Sequence, residues 1–205
     1  MRRPEFVARQ SACPSGLLGR LIGRIMAHET AGANRFALEL LDLHPTDHVL
    51  EVGFGHGATI ARAAAAVSDG LVAGVDPSAE MCRMAARRNR CAVADGRVEL
   101  HQASVEALPY PDHAFEKVLT VHTLYFWPDV GRPFREMARV LRRGGRLVAV
   151  HRTDRGSERD FPPPIYRFPT DDEVADALRN AGLVCEAPIH RHLGAATVSF
   201  RVARR

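Results

Sequence analysis

The chain predicts an α/β fold, a doubly wound and mostly parallel sheet of seven strands with helices on both faces, preceded by an N-terminal helical arm. Three observations carry that prediction. Short apolar strand-like runs alternate with helical stretches five times between residues 48 and 150, and such alternation builds parallel strands joined by crossover helices. The first run ends in a glycine-rich turn, Gly53-Phe54-Gly55-His56-Gly57, which opens a helix. The second ends on a carboxylate, Asp76. In open α/β sheets ligands bind outside the carboxyl ends of the strands, where the turn, Asp76 and the Val121-His122 pair all fall.

Each element has a local reason. In the arm, Leu17, Leu18, Leu21, Ile22, Ile25 and Met26 recur at helical spacing with Arg20 and Arg24 off their face, predicting a helix packed by that face on the rest of the chain. The alternatives are a cover over a ligand pocket or a helix lying on a membrane surface. A further helix over residues 34–43 closes at His44-Pro45. Residues 1–45 therefore read as an arm or cap on a body of residues 46–205. Within the body, strands are expected over 48–52, 71–75, 97–101, 115–121 and 146–150. A helix over 58–67 is stopped by Asp69-Gly70; the next is capped by Ser78 and sets Met81, Met84 and Ala85 on one face. Asp129 opens a helix with Phe134, Met137, Val140 and Leu141 on its apolar side, ended by Gly144-Gly145. Thr170-Asp171-Asp172-Glu173 has the form of a capping box and opens the last helix. Strands over 183–191 and 195–203 complete the seven. The loop of residues 151–169 carries a stiff, proline-rich stretch at 161–166, suited to a lid wall or a surface connection.

Composition bounds the function. The 205 residues are 46% hydrophobic and 25% charged, enough for one domain with an appendage and a sizeable core. The net charge is +4, and Lys117 is the sole lysine. The arginines scatter without a stripe or a recognisable module, so no nucleic-acid partner is expected. No uncharged apolar run reaches the length of a membrane span, so no stable membrane insertion is expected and a cytoplasmic location is. Cys13, Cys82, Cys91 and Cys185 show no C-x-x-C spacing; they predict neither a metal site nor a disulfide framework, and read as buried small hydrophobes.

The glycine turn lets a ligand approach the backbone without an intervening side chain. Asp76 can accept hydrogen bonds from the hydroxyls of an adenosyl ribose. A dinucleotide fingerprint is met loosely by Gly53, Gly55 and Ala58, and an adenosyl sulfonium cofactor is the alternative. The second presents an ammonium and a sulfonium rather than phosphates, and Glu51, just before the first glycine, supplies the matching negative charge. The downstream segments add a family pattern: Val49-Leu50-Glu51-Val52-Gly53-Phe54-Gly55-His56-Gly57, Gly74-Val75-Asp76-Pro77-Ser78-Ala79-Glu80-Met81, Ala103-Ser104-Val105-Glu106-Ala107-Leu108-Pro109-Tyr110-Pro111-Asp112, Phe115-Glu116-Lys117-Val118-Leu119 and Glu136-Met137-Ala138-Arg139-Val140-Leu141-Arg142-Arg143-Gly144-Gly145. In order and spacing these residues resemble the class I S-adenosylmethionine-dependent methyltransferases of the small type 11 group, which includes quinone-biosynthesis enzymes. The resemblance spans residues 49–150.

That resemblance implies the Rossmann-like class I methyltransferase fold, S-adenosyl-L-methionine as cofactor and a small-molecule methyl acceptor. It implies that Glu51 with Gly53, Phe54, Gly55 and Gly57 holds the methionine part, that Asp76 binds the ribose, and that Pro77 and Met81 flank the adenine. Ser104 and Val105 fall where the adenine amino group is usually met, with Ser104 in place of a common aspartate. Phe54 and Glu116 also depart from the usual small residue and aspartate. Transfer is direct displacement at the sulfonium, so alignment is the protein's main contribution. His122, beside the expected methyl, is the first candidate for contact with cofactor or acceptor and for a base; His151 follows it and His28 is weaker. Tyr125 and Phe126 could face an apolar acceptor, whereas Trp127 reads as an anchor of the next helix. Two other functions remain open: methylation of nucleic acid, and cofactor binding without methyl transfer.

Overall fold

The computed structural model describes residues 4–153, 162, 165–194 and 196–205. Five strands, β1 (His48–Val52), β2 (Leu71–Asp76), β3 (Val98–Gln102), β4 (Phe115–Val121) and β5 (Leu141–Arg152), pair in parallel in the order β3-β2-β1-β4-β5. An antiparallel β8 (Ala196–Arg204) follows β5, and both β6 (Val184–Cys185) and β7 (Ile189–Leu193) pair with β8. The chain runs outward from β1 to β3 and then returns to place β4 on the other side of β1. The strand order therefore reverses between β1 and β4, which opens a cleft at their carboxyl ends.

Side chains of the central strands alternate between two helical layers, as the pleat requires. Val118, Leu147 and Ala149 enter one core with Phe134 and Met137 of α7 (Gly131–Val140) and Val174 and Leu178 of α8 (Asp171–Asn180). Their neighbours Leu119, Val148 and Val150 enter the opposite core with Ala33, Ala37 and Leu41 of α3 (Ala31–Leu41) and Ile60 and Ala63 of α4 (Ala58–Ala66). The expected caps form. The Ser78 hydroxyl accepts from the Met81 N–H at 3.1 Å, at the start of α5 (Ala79–Arg88), which the short α6 (Arg90–Ala94) follows. Thr170 and Glu173 exchange both bonds of the capping box, and the Asp129 carboxylate accepts from the N–H groups of Gly131 and Arg132.

Four expectations give way. The strand expected over 183–191 is split into β6 and β7, whose registers against β8 differ by one residue; Pro188, with no N–H to give, lies in the break. Gly144-Gly145 does not end a helix: α7 stops at Val140, Leu141 already pairs with Phe115, and Gly144 at φ 76° turns an irregularity inside β5. The cysteines are free, with Cys13 and Cys91 exposed and Cys82 and Cys185 half-buried, the last two packing at the margins of the two core layers.

The fourth concerns the arm, which consists of α1 (Glu5–Ala12) and α2 (Gly16–Glu29) ahead of α3. The apolar face of α2 points outward, with Leu17 80%, Leu21 55% and Ile25 52% exposed. Its packed face is instead Gly19 and Gly23. A Cβ at Gly19 would stand 2.7 Å from the Pro14 carbonyl carbon, and one at Gly23 3.0 Å from the Met81 Cε. The missing side chains let the helix backbone press against Pro14 at Gly19 and against Met81 of α5 at Gly23, close approaches that larger apolar residues would prevent. Among the described residues, no helix is long and apolar enough to cross a membrane.

Candidate functional site

The cleft at the switch point is a cavity of about 370 Å³, within the usual range for small-molecule sites. Its floor is the first strand-to-helix turn. Gly53, at φ 78°, ends β1 with its N–H on the Val75 carbonyl at 2.8 Å, and a Cβ there would strike the Thr123 methyl at 2.2 Å. Gly55, at φ 54°, faces open space, and its N–H donates to Asp76 Oδ2 at 2.9 Å. Asp76 Oδ1 accepts from the Ser78 N–H at 2.9 Å. The carboxylate is thus held at the end of β2 by two backbone donors. Burial raises its pKa, and those two bonds offset part of the rise.

Glu51 projects into the same cavity and is buried. Burial, reinforced by the nearby Asp76 charge, pushes its pKa up to about 8, partly offset by hydrogen bonding from Thr59 and the Ile60 N–H. Its Oε2 has no hydrogen-bond partner. A buried, unsatisfied carboxylate oxygen is costly unless a donor or cation completes it. Among the described residues, Glu51 and Asp76 are the only acids of the lining, and no Arg or Lys joins them. A lining of this kind suits an ammonium better than a pyrophosphate, which favours the sulfonium cofactor over the dinucleotide. An ammonium can complete Glu51 Oε2, and the glycine floor admits a ligand to the backbone. The residues present fit S-adenosylmethionine.

Of the residues singled out from the sequence, Glu51, Gly53, Phe54, Gly55, Asp76, Pro77, Met81, Val105 and His122 line the cavity, as does Phe126. Gly57, Ser104 and His151 do not. Gly57 serves packing: at φ 77°, its Cβ would stand 2.6 Å from the Ala85 Cβ where α4 meets α5. The exposed Ser104 turns its hydroxyl to the Glu106 N–H at 3.3 Å. His151 is fully buried, with Asp171 Oδ1 3.4 Å from its Nε2, and points to the α8 side because β5 alternates at that residue. His28 is exposed on α2 and also off the cavity. Trp127 does both things that were weighed: it lines the cavity and meets Phe134 edge-on at 5.8 Å.

His122 ends β4 in the left-handed conformation, φ 58°, while its N–H still pairs with the Val150 carbonyl at 2.9 Å. A non-glycine residue held there is strained, a condition that concentrates at functional sites. Its Nδ1 lies 2.8 Å from the Tyr125 hydroxyl, which accepts from the Arg152 N–H at 2.5 Å. Burial, then the charges of Arg152 and His151, lower its pKa to about 3. The imidazole is therefore neutral at any ordinary pH.

Sequence reasoning offered the arm as a cover over a pocket but assigned to the lining none of the arm residues that form it. Ser11 and Ala12 at the end of α1, and Cys13 and Pro14 in the link to α2, line the cavity together with Met26, Thr30 and Asn34. The Ser78 hydroxyl donates to the Pro14 carbonyl at 2.5 Å, clasping the arm to the turn after β2. Arg20 of α2 also pairs with the buried Glu80 of α5. On the α1 side of the arm, Ala8 packs with Tyr125 and Tyr166, and Phe126 meets the Tyr166 ring at 5.0 Å. Ile165 and Tyr166 belong to the stretch expected as a lid wall; residues 163 and 164 and most of the preceding loop lie outside the described residues. Only Ser78, as a cap one residue past Pro77, hinted at an anchoring point.

A doubly wound sheet with an acidic, glycine-floored cleft at its switch point defines a class I methyltransferase fold. A family model described as a methyltransferase domain matches residues 50–149. The methyltransferase YdaC of Bacillus subtilis (strain 168) is 32% identical over 128 residues, covering 62% of this chain and 68% of that protein. The 27-O-demethylrifamycin SV methyltransferase of Amycolatopsis mediterranei (strain S699) is 33% identical over 158 residues, covering 72% of this chain and 58% of its own length. Among solved structures, a complex of the Haloferax volcanii Trm112 methyltransferase activator with a methyltransferase aligns at TM-score 0.76 and 18% identity, covering 100% of this chain and 99% of that one. The chain belongs to the S-adenosylmethionine-dependent methyltransferases of type 11, and its cofactor is S-adenosylmethionine. Against the curated relatives it spans between 43% and 68% of their lengths.

Proposed function

We propose that the protein transfers a methyl group to a small, largely apolar acceptor bound beneath the arm formed by α1 and α2. The observation that carries this reading is the cover that the arm lays over the cavity. Ser11–Pro14 and Met26 roof it, while His122, Phe126 and Trp127 wall the side across from Asp76. A space of about 370 Å³ shared with a cofactor suits a small molecule and leaves little room for a polymer. Similarity to a rifamycin-modifying enzyme supports the same class of acceptor.

S-adenosylmethionine supplies an electrophilic methyl on a sulfonium whose displacement leaves a neutral thioether. In our reading Glu51 holds the ammonium, Asp76 the ribose, and Pro77 and Met81 the two sides of the adenine, with Val105 at its edge. Residues 1–45 act as the cap that excludes water. His122 orients the acceptor. A neutral imidazole with pKa near 3 draws a proton weakly from a free hydroxyl. As the new O–C bond forms, the acceptor oxygen becomes far more acidic, and the same imidazole can then take its proton. Tyr125 holds the ring for that role.

The test is calorimetric titration with S-adenosylhomocysteine, using NADH as comparison, followed by a labelled-methyl screen of phenol, amine and quinone acceptors. Micromolar binding of the first ligand and label transfer to a small acceptor are expected. Tight cofactor binding with label passing only to RNA would overturn the acceptor class.

A further inference from the structure

A second surface adjoins the site without being part of it. Between α2 and α5 runs a groove of about 310 Å³ lined by Arg20, Arg24, Arg83, Arg87 and Arg88 against the single carboxylate Glu80. Arg20 and Arg83 pair with that carboxylate. Among the described residues, Arg24, Arg87 and Arg88 have no ion-pair partner. On α2, Leu17 precedes Arg20 and Leu21 precedes Arg24 by three residues, so the apolar stripe of Leu17, Leu21 and Ile25 borders the arginines along one helix. The stripe is the exposed face described above, and Leu18 widens it.

We propose that α2 and this groove dock on an anionic phospholipid surface, with the leucine stripe at the acyl boundary and Arg24, Arg87 and Arg88 among the headgroups. Apolar residues flanked by arginine on one exposed helix face are the pattern of a helix lying in the membrane interface. The charge selects this occupant over a second copy of the chain, because a symmetric contact across the stripe would set arginines against arginines. The stripe selects it over a nucleic acid, which has no use for three exposed aliphatic side chains beside its phosphates. The helix that would touch lipid also roofs the cavity through Met26, so docking sets the roof of the pocket against the bilayer surface.

The experiment is cosedimentation of the full chain with vesicles of phosphatidylcholine alone and with about 30% phosphatidylglycerol, at low and high salt. Binding to the anionic vesicles, little to the neutral ones, and loss at high salt are expected. Leu21→Glu, and separately Arg24→Glu with Arg87→Glu, should each cut the bound fraction by about fivefold or more, since each removes one of the two attractions. All three positions lie outside the cavity, so S-adenosylhomocysteine binding and Tm should stay at wild-type values. No binding to anionic vesicles, or equal binding to both kinds, overturns the proposal. A concentration-dependent dimer abolished by Leu21→Glu, without vesicle binding, would assign the stripe to self-association and overturn it as well. RNA binding that needs the arginines but not Leu21 would do the same for the groove.

Discussion

At the scale of single residues, Glu51 carries the sharpest electrostatic consequence. Its folded pKa near 8 stands above the ordinary 4.5, so the ligand-free folded state holds the proton longer than the unfolded chain does. Stability from this group is therefore fully present below about pH 4.5 and is lost as pH rises to about 8. A cationic ligand needs the ionised form. Binding of S-adenosylhomocysteine should then release a proton near pH 7, and affinity should rise by up to about tenfold per pH unit before flattening above pH 8. Calorimetry in two buffers of different ionisation enthalpy reads the proton directly, and Glu51→Gln should erase both the proton release and the slope. Asp76→Ala should weaken binding by at least about tenfold and also lower Tm, since the N–H groups of Gly55 and Ser78 lose their shared acceptor. For His122→Ala the expected outcome is a large fall in kcat, with cofactor affinity within about threefold of wild type. Unchanged turnover on a hydroxyl acceptor would remove His122 from the proposed chemistry.

At the scale of elements, the glycine turn divides into two jobs that one motif conceals. Gly55 faces open space in the cavity, so Gly55→Val should block the cofactor by bulk while costing the fold only the strain of a positive φ, roughly 1–2 kcal/mol. Gly57 is pinned between α4 and Ala85; Gly57→Val should act on stability first, lowering it by about 3 kcal/mol or more through overpacking and strain. Thermal melting with and without S-adenosylhomocysteine separates the two variants. The α2 helix teaches the complementary lesson. Its period was legible, but which face packs was not, because Gly19 and Gly23 win the inner position by allowing close backbone contact rather than by hydrophobicity. Likewise Gly144-Gly145 reads as a helix stop from local chemistry, yet pairing of Leu141 with Phe115 extends β5 through it.

For the whole molecule, the two apolar layers that sandwich the sheet hold the cleft at its switch point open. Phe134, with no exposed surface, joins α7 to the sheet beneath Trp127. Phe134→Ala should cost about 3–5 kcal/mol and loosen the cavity wall through Trp127, which chemical denaturation and Trp fluorescence can follow together. The amino-acid sequence by itself determined the alternation of strands and helices, the capped turns, and the Glu51, Gly53, Gly55 and Asp76 set at the strand ends. All of these are written in local periodicity and in spacings within one βαβ unit. Only the tertiary structure decided that His151 faces α8, that Ser104 turns away, and that Cys13, Pro14 and Met26 roof the pocket. Those outcomes depend on which face of a strand or helix finds a partner distant in sequence, and on the close backbone approach that two glycines in the arm permit.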